Sequence, residues 1–171
     1  APGSASGYSG LKPQHLKDTL CPGWQHEVLR WLTAMVNKML RGDIPPNVRR
    51  WLLGATLAAL PKPGGDLRPI AVGEVYRRLT SKAAASHFKA TFAGVLEPTQ
   101  LGVGTSGGAE AVLHVVRQYF GQAKGDVNAG ILTVDVANAF NSVDRVARRR
   151  ETRLIVPALA PWVDACYGTD S

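Results

Sequence analysis

Two groups of residues have the types and spacing to do chemistry. Asp135 stands near the end of the apolar run Ile131-Leu132-Thr133-Val134-Asp135-Val136, and Phe140 follows five residues later. Alternation along such a strand turns Asp135 and Thr133 to one side and Leu132, Val134 and Val136 to the other. A carboxylate so placed is costly unless it is solvated, paired or bound to a metal. Hard divalent cations such as Mg²⁺ are held by one or two carboxylates together with substrate phosphates. Taken alone, an Asp at a strand end is more often a turn or capping residue, and Phe140 is more often part of a core. The second group is Lys62 and Arg68, on either side of Pro63-Gly64-Gly65-Asp66. Gly-Gly before Asp is hairpin chemistry, so both cations stand at or beside a hairpin tip. Neighbours across such strands lie ~5 Å apart. Two cations that close repel unless an anion sits between them. A triphosphate fits, with Arg as a planar fork and Lys as a point charge. The alternative is a solvated surface hairpin.

Weaker signals surround these. The run from Gln100 through Gly102, Gly104, Gly107 and Gly108 to Glu110 is rich in glycine just before a helical pattern. Exposed backbone N–H groups there can meet phosphate, and a flexible connector is the competing reading. Arg77 with Arg78, Lys82 with Lys89, and Arg145 with Arg148, Arg149 and Arg150 form basic faces. Such runs are commonly just solvated. The histidines 15, 26, 87 and 114 show neither metal nor nucleophile spacing.

The elements that must position these residues are legible in outline. Residues 1–10, rich in Gly, Ser and Ala, predict a flexible lead-in. The spacing of Trp24, Val28, Leu32, Met35, Val36, Met39 and Leu40 predicts an amphipathic helix over 24–41. Gly42 ends it, and Pro45-Pro46 blocks continuation. A short segment over 48–53 leads into strands over 56–62 and 67–72. Pro61, Pro63 and Pro69 remove ladder donors, so the hairpin is an edge or protruding one. A helix over 74–95 should bury Val75, Leu79, Ala83, Phe88 and Phe92. Another over 109–120 should bury Val112, Leu113, Val116 and Phe120. Residues 131–136 read as a strong strand. Helix resumes near Asn141 or Ser142, with Asn141 and Asp144 as a cap pair, and its periodic part ends at residues 148–150. A last helical stretch runs through Trp162 and Tyr167.

The chain has 171 residues, 45% of them hydrophobic and 19% charged, enough for one domain with a real core. Twenty Lys and Arg against thirteen Asp and Glu leave a net charge of +7, which favours an anionic partner such as nucleic acid. Cys21 and Cys166 lack metal-ligand spacing and point to reduced thiols in an intracellular compartment, whether nucleus, cytoplasm or organelle. No apolar run approaches the ~20 residues of a membrane span, so no membrane partner is expected. The absence of an initial Met and of a leader pattern is the expectation for a processed chain or a piece of a longer one.

From Asp135, Asp-Val-Ala-Asn-Ala-Phe-Asn-Ser-Val resembles the first palm motif of reverse transcriptases: an Asp, three residues, Ala, then Phe or Tyr. The resemblance implies that Asp135 and the carbonyl of Val136 bind catalytic Mg²⁺. It also implies that Phe140 packs under the sugar and excludes a ribonucleotide's 2′-hydroxyl. Pro-Lys-Pro-Gly-Gly-Asp-Leu-Arg-Pro-Ile, from Pro61, resembles the fingers hairpin of group II intron and non-LTR retrotransposon polymerases. There the Lys and Arg hold the incoming triphosphate, which implies that role for Lys62 and Arg68. Gln100-Leu101-Gly102 matches the family's Gln-x-Gly segment along the template, so Gln100 and Gly102 become nucleic-acid contacts. Arg77 and Arg78 would line the same channel. The segment from Gly10 to Lys17 is similar to one upstream of the fingers.

The resemblance covers about residues 9–168 and implies an α+β fold. Residues 11–129 would be mostly helical fingers with the protruding hairpin, and 130–171 the incomplete start of a right-hand palm. It implies RNA-directed DNA polymerisation: a primer 3′-hydroxyl extended with dNTPs on an RNA template or RNA–DNA hybrid. The Gly-Gln-Gly helix motif, the x-Asp-Asp hairpin, the primer grip and the thumb are absent from these residues. Two-metal transfer needs at least two carboxylate positions. Asp144, on the outgoing helix, cannot be the second, and Asp164 and Asp170 lie in no such motif. The fragment is therefore expected to be inactive by itself. The alternative is a non-catalytic RNA-binding or scaffold subunit of a ribonucleoprotein, a ribosome included, with other protein chains completing the palm. In either case the strand over 131–136 should not be a free edge.

Overall fold

A computed structural model describes residues 4–136 and 139–168, the side chain of Phe140 excepted. The fold is α+β, as the sequence implies. In chain order its elements are α1 (Pro13–Asp18), α2 (Gln25–Leu40), α3 (Pro46–Leu53), β1 (Ala55–Pro61), β2 (Leu67–Gly73), α4 (Val75–His87), α5 (Lys89–Leu96), α6 (Gly108–Gln122), α7 (Ala139–Ser142), α8 (Arg145–Ile155), a 3₁₀ turn (Pro157–Leu159) and α9 (Ala160–Tyr167).

The core is built where α2, α4 and α9 meet. Met39, Trp162 and Ala165 are buried at its centre, with Met35, Leu40, Ile44, Leu52, Leu53, Tyr76 and Leu159 packed around them. Of the α2 stripe, Met35, Met39 and Leu40 pack in this core, Val28, Leu32 and Val36 are half-buried, and Trp24 is exposed. Helix α2 stops in a Schellman motif: Gly42 N–H bonds to the carbonyl of Met39 (2.9 Å) and Asp43 N–H to that of Lys38 (3.0 Å). Gly42 has φ +73, and a Cβ there would come within 3.1 Å of the Pro161 carbonyl oxygen. The same glycine therefore ends α2 and lets α9 approach.

The predicted long helix over 74–95 is two helices, broken at Phe88 (φ −91, ψ 8). Of the predicted stripe, Val75 is buried and Leu79, Phe88 and Phe92 are half-buried, and the face departs from it in the middle of α4. Thr80 and Ala84 are buried and Ala83 is exposed, because α4 meets α2 through Thr80, whose hydroxyl contacts Met39 Sδ at 3.4 Å. Helix α6 forms where expected, but Val112, Leu113 and Phe120 are about half exposed. An amphipathic repeat specifies a helix with an apolar stripe and says nothing of whether a neighbour covers it.

Residues 131–136 form no strand, and Leu132 and Val134 are 88% and 78% exposed. A strand exists through its ladder, and among the described residues β1 and β2 pair with each other and with nothing else. The cap expected of Asn141 with Asp144 belongs to Asp144 alone, whose carboxylate accepts from Ala147 N–H (2.6 Å) at the start of α8. Helix α8 then continues to Ile155, past the predicted end at 148–150.

The lead-in is tied down over its described part. Ser9 donates from its N–H (2.8 Å) and its hydroxyl (2.6 Å) to the Glu74 carboxylate, and Tyr8 lies 4.9 Å, ring to ring, from Trp51. Glu74 is 5% exposed, and these bonds offset its loss of hydration.

Candidate nucleotide and nucleic-acid site

The hairpin is antiparallel with Leu60 opposite Arg68 and Pro61 opposite Leu67. Lys62 N–H donates to the Asp66 carbonyl (2.7 Å), and Gly65 N–H closes the turn on the Lys62 carbonyl (3.2 Å). Gly64 and Gly65 both have positive φ, +107 and +94, which is why the turn needs glycine. Directly opposed residues share a face, and so do residues two apart on one strand. Leu60, Lys62, Asp66 and Arg68 therefore point to the same side. All four are exposed. Neither cation is within ion-pair distance of a carboxylate among the described residues. Asp66 sits across from Lys62 and weakens the local positive field without neutralising it.

The other candidate residues have different surroundings. Asp135 and Val136 are exposed, and Phe140's side chain lies outside the described residues. No group of three metal-ligating side chains is gathered among the described residues. Asp135 thus offers Mg²⁺ a single solvated carboxylate, a donor that fits a site shared with substrate phosphates but forms no cage. Gln100 folds back, its side-chain oxygen accepting from Gly102 N–H. This shapes the glycine-rich loop, and Gly108 packs so tightly on Leu101 that a Cβ would overlap its carbonyl oxygen.

Arg77 and Arg78 both hold backbone. Arg78 Nη1 donates to the Ala5 carbonyl (2.7 Å) and Arg77 Nη1 to that of Leu53, at the end of α3. Arg49 was no candidate by sequence. It reaches from α3 to the Ala165 (2.9 Å) and Asp164 (3.3 Å) carbonyls at the end of α9. Asp164 is the other unforeseen centre. It accepts from Arg149 (2.7 Å) and Arg153 (2.6 Å), tying α8 to α9. The Arg149 hydrogen bond is the main reason its carboxyl titrates below the usual range. Cys166 lies between Arg77 and Arg49, and burial pushes its thiol up despite them. Only a long-range pairing partner could have flagged Arg49 or Asp164, and no local motif carries one.

By fold and by site, the chain is an α+β protein whose exposed hairpin carries at its tip two cations with no ion-pair partner among the described residues. Over 135 residues it is 31% identical to the retrotransposable element SLACS 132 kDa protein of Trypanosoma brucei gambiense, covering 73% of the chain and 11% of that protein. The similarity relates the chain to a retrotransposon protein, of whose length it spans about a tenth. No family model and no solved structure matches it. Among the described residues no helix is long and apolar enough to cross a membrane.

Proposed function

We propose that this chain supplies the fingers and the beginning of the palm of a retrotransposon reverse transcriptase. The observation that carries the reading is the hairpin register, which puts Lys62 and Arg68 on one exposed face beside a glycine turn. Two cations without a carboxylate partner suit the triphosphate of a dNTP. Asp135 and the Val136 carbonyl would hold Mg²⁺, which neutralises charge on the transferring phosphoryl group when bound. Phe140 would sit under the sugar. Gln100, Gly102, Arg77 and Arg78 would follow the template and the RNA–DNA hybrid. These 171 residues carry one carboxylate motif, so they bind without extending a primer. The scaffold reading, an RNA-binding subunit completed by other chains, draws support from the uncovered apolar face of α6.

The test is equilibrium binding of a labelled dNTP and of an RNA–DNA hybrid, with a primer-extension assay beside it. Lys62→Ala with Arg68→Ala should weaken dNTP binding about tenfold, or ~1.4 kcal/mol. Hybrid affinity should fall with log salt by about 0.7–0.9 per neutralised phosphate. A flat salt response would remove the nucleic-acid reading. Primer extension abolished by Asp135→Ala would show that the second carboxylate is supplied in some other way.

A further inference from the structure

A recess of about 390 Å³ opens at the root of the hairpin, between α3, α4 and the end of α9, walled by Arg49, Arg50, Arg77 and Arg145 with Gly54 and Tyr167. That volume is an order of magnitude above the ~30 Å³ share of one water, so it is a hydrated recess rather than a packing gap. None of its lining residues is acidic. Of the two carboxylates next to lining residues in sequence, Asp164 is occupied by Arg149 and Arg153, and Asp144 accepts from Ala147 N–H.

Among the described residues, the charge of Arg49, Arg50 and Arg77 in this recess is not balanced. Two helix ends face it: the α3 end through the Leu53 carbonyl, held by Arg77, and the α9 end through Asp164 and Ala165, held by Arg49. Each helix end supplies roughly half a negative charge. Against Arg49, Arg50 and Arg77 alone, leaving Arg145 out of the sum, about two positive charges remain. Arg49 Nε is buried with no hydrogen-bond partner among the described residues, and Arg50 stacks over the Trp51 ring at 4.7 Å. Fixed, planar donors without an acid are what phosphate recognition uses.

We infer that this recess is a second phosphate site, which seats a backbone phosphate of a bound polynucleotide at the root of the hairpin. It is separate from the tip. Gly54 precedes β1 and Arg77 lies against Gly73 at the end of β2, whereas Lys62 and Arg68 are at the far end of strands that span roughly 20 Å. No single nucleotide triphosphate reaches both, and a polynucleotide lying along the hairpin does. The inference rests on the nucleic-acid part of the proposed function and not on dNTP binding at the tip.

The test variant is Arg50→Gln, because Arg50 is exposed and holds no backbone carbonyl among the described residues. Arg77→Gln is the second, with its thermal melt recorded to confirm folding. Binding of a labelled single-stranded oligouridine RNA is measured against salt, with inorganic phosphate alone as a separate arm. Each variant should weaken RNA binding severalfold and reduce the salt slope by about 0.7. Lys62→Ala with Arg68→Ala should weaken dNTP binding while the Arg50 effect on RNA persists, so failure at the tip and failure at the root are read separately. Unchanged RNA affinity and salt slope in folded Arg50→Gln and Arg77→Gln would overturn the inference. So would stabilisation by inorganic phosphate that Arg50→Gln abolishes without any change in RNA binding, which would assign the recess to a free phosphate.

Discussion

The helical body around Met39 and Trp162 and the outlying parts, namely the hairpin, α6 and residues 131–136, are both rich in apolar residues and opposite in packing. In the body, α2, α4 and α9 bury their stripes against one another, and Arg49 and Asp164 fasten the helix ends. In the outlying parts, Leu57, Leu113 and Leu132 are exposed, at 76%, 49% and 88%. The chain of 18.3 kDa exposes 12761 Å², against roughly 8,000 Å² for a compact monomer of that mass. The excess is the size of a large protein–protein interface. The difference teaches that the body is specified by contacts within these residues, while the outlying parts have the composition of buried elements and no neighbour here to bury them.

The largest expected effect tests that contrast directly. Trp162→Ala should cost about 3–5 kcal/mol of stability, and Leu113→Ala less than about 0.5, read from urea midpoints. Equal losses would mean that α6 packs in solution and that the contrast between the regions is false.

Arg49→Ala comes next. It removes two charge-assisted bonds to the end of α9 and should cost about 1.5–3 kcal/mol. Arg49→Lys should recover little, because one ammonium cannot replace the planar fork. Full stability in Arg49→Lys would show that charge at the helix end, not geometry, joins α3 to α9.

The smallest effect sharpens the account of the body. Asp164→Asn should cost about 1 kcal/mol at neutral pH, the pair being partly exposed. The folded carboxyl titrates below its unfolded value of about 3.9. Its contribution is therefore complete above that value and disappears as pH falls through the lower, folded one. Wild type and Asp164→Asn should converge in stability in that acid range. Parallel curves down to the lowest pH would mean that the carboxylate does not link α8 to α9.

Much of the local structure could be read from the chain alone. Gly64 and Gly65 specify the turn, Gly42 specifies where α2 stops, and these choices depend on the backbone freedom of single residues. The register that turns Lys62 and Arg68 to one face follows from the same turn, because a hairpin's loop sets its pairing. The tertiary structure alone decided that Thr80 is the most buried residue of α4, since it meets Met39 across the interface, a partner that its own spacing does not specify. It also decided that residues 131–136, apolar as any strand, form none here. A helix closes its hydrogen bonds within itself, whereas a strand borrows them from a neighbour. The arginine recess belongs to the same class: Arg49, Arg77 and the end of α9 are far apart in sequence, and their shared charge exists only once the helices meet.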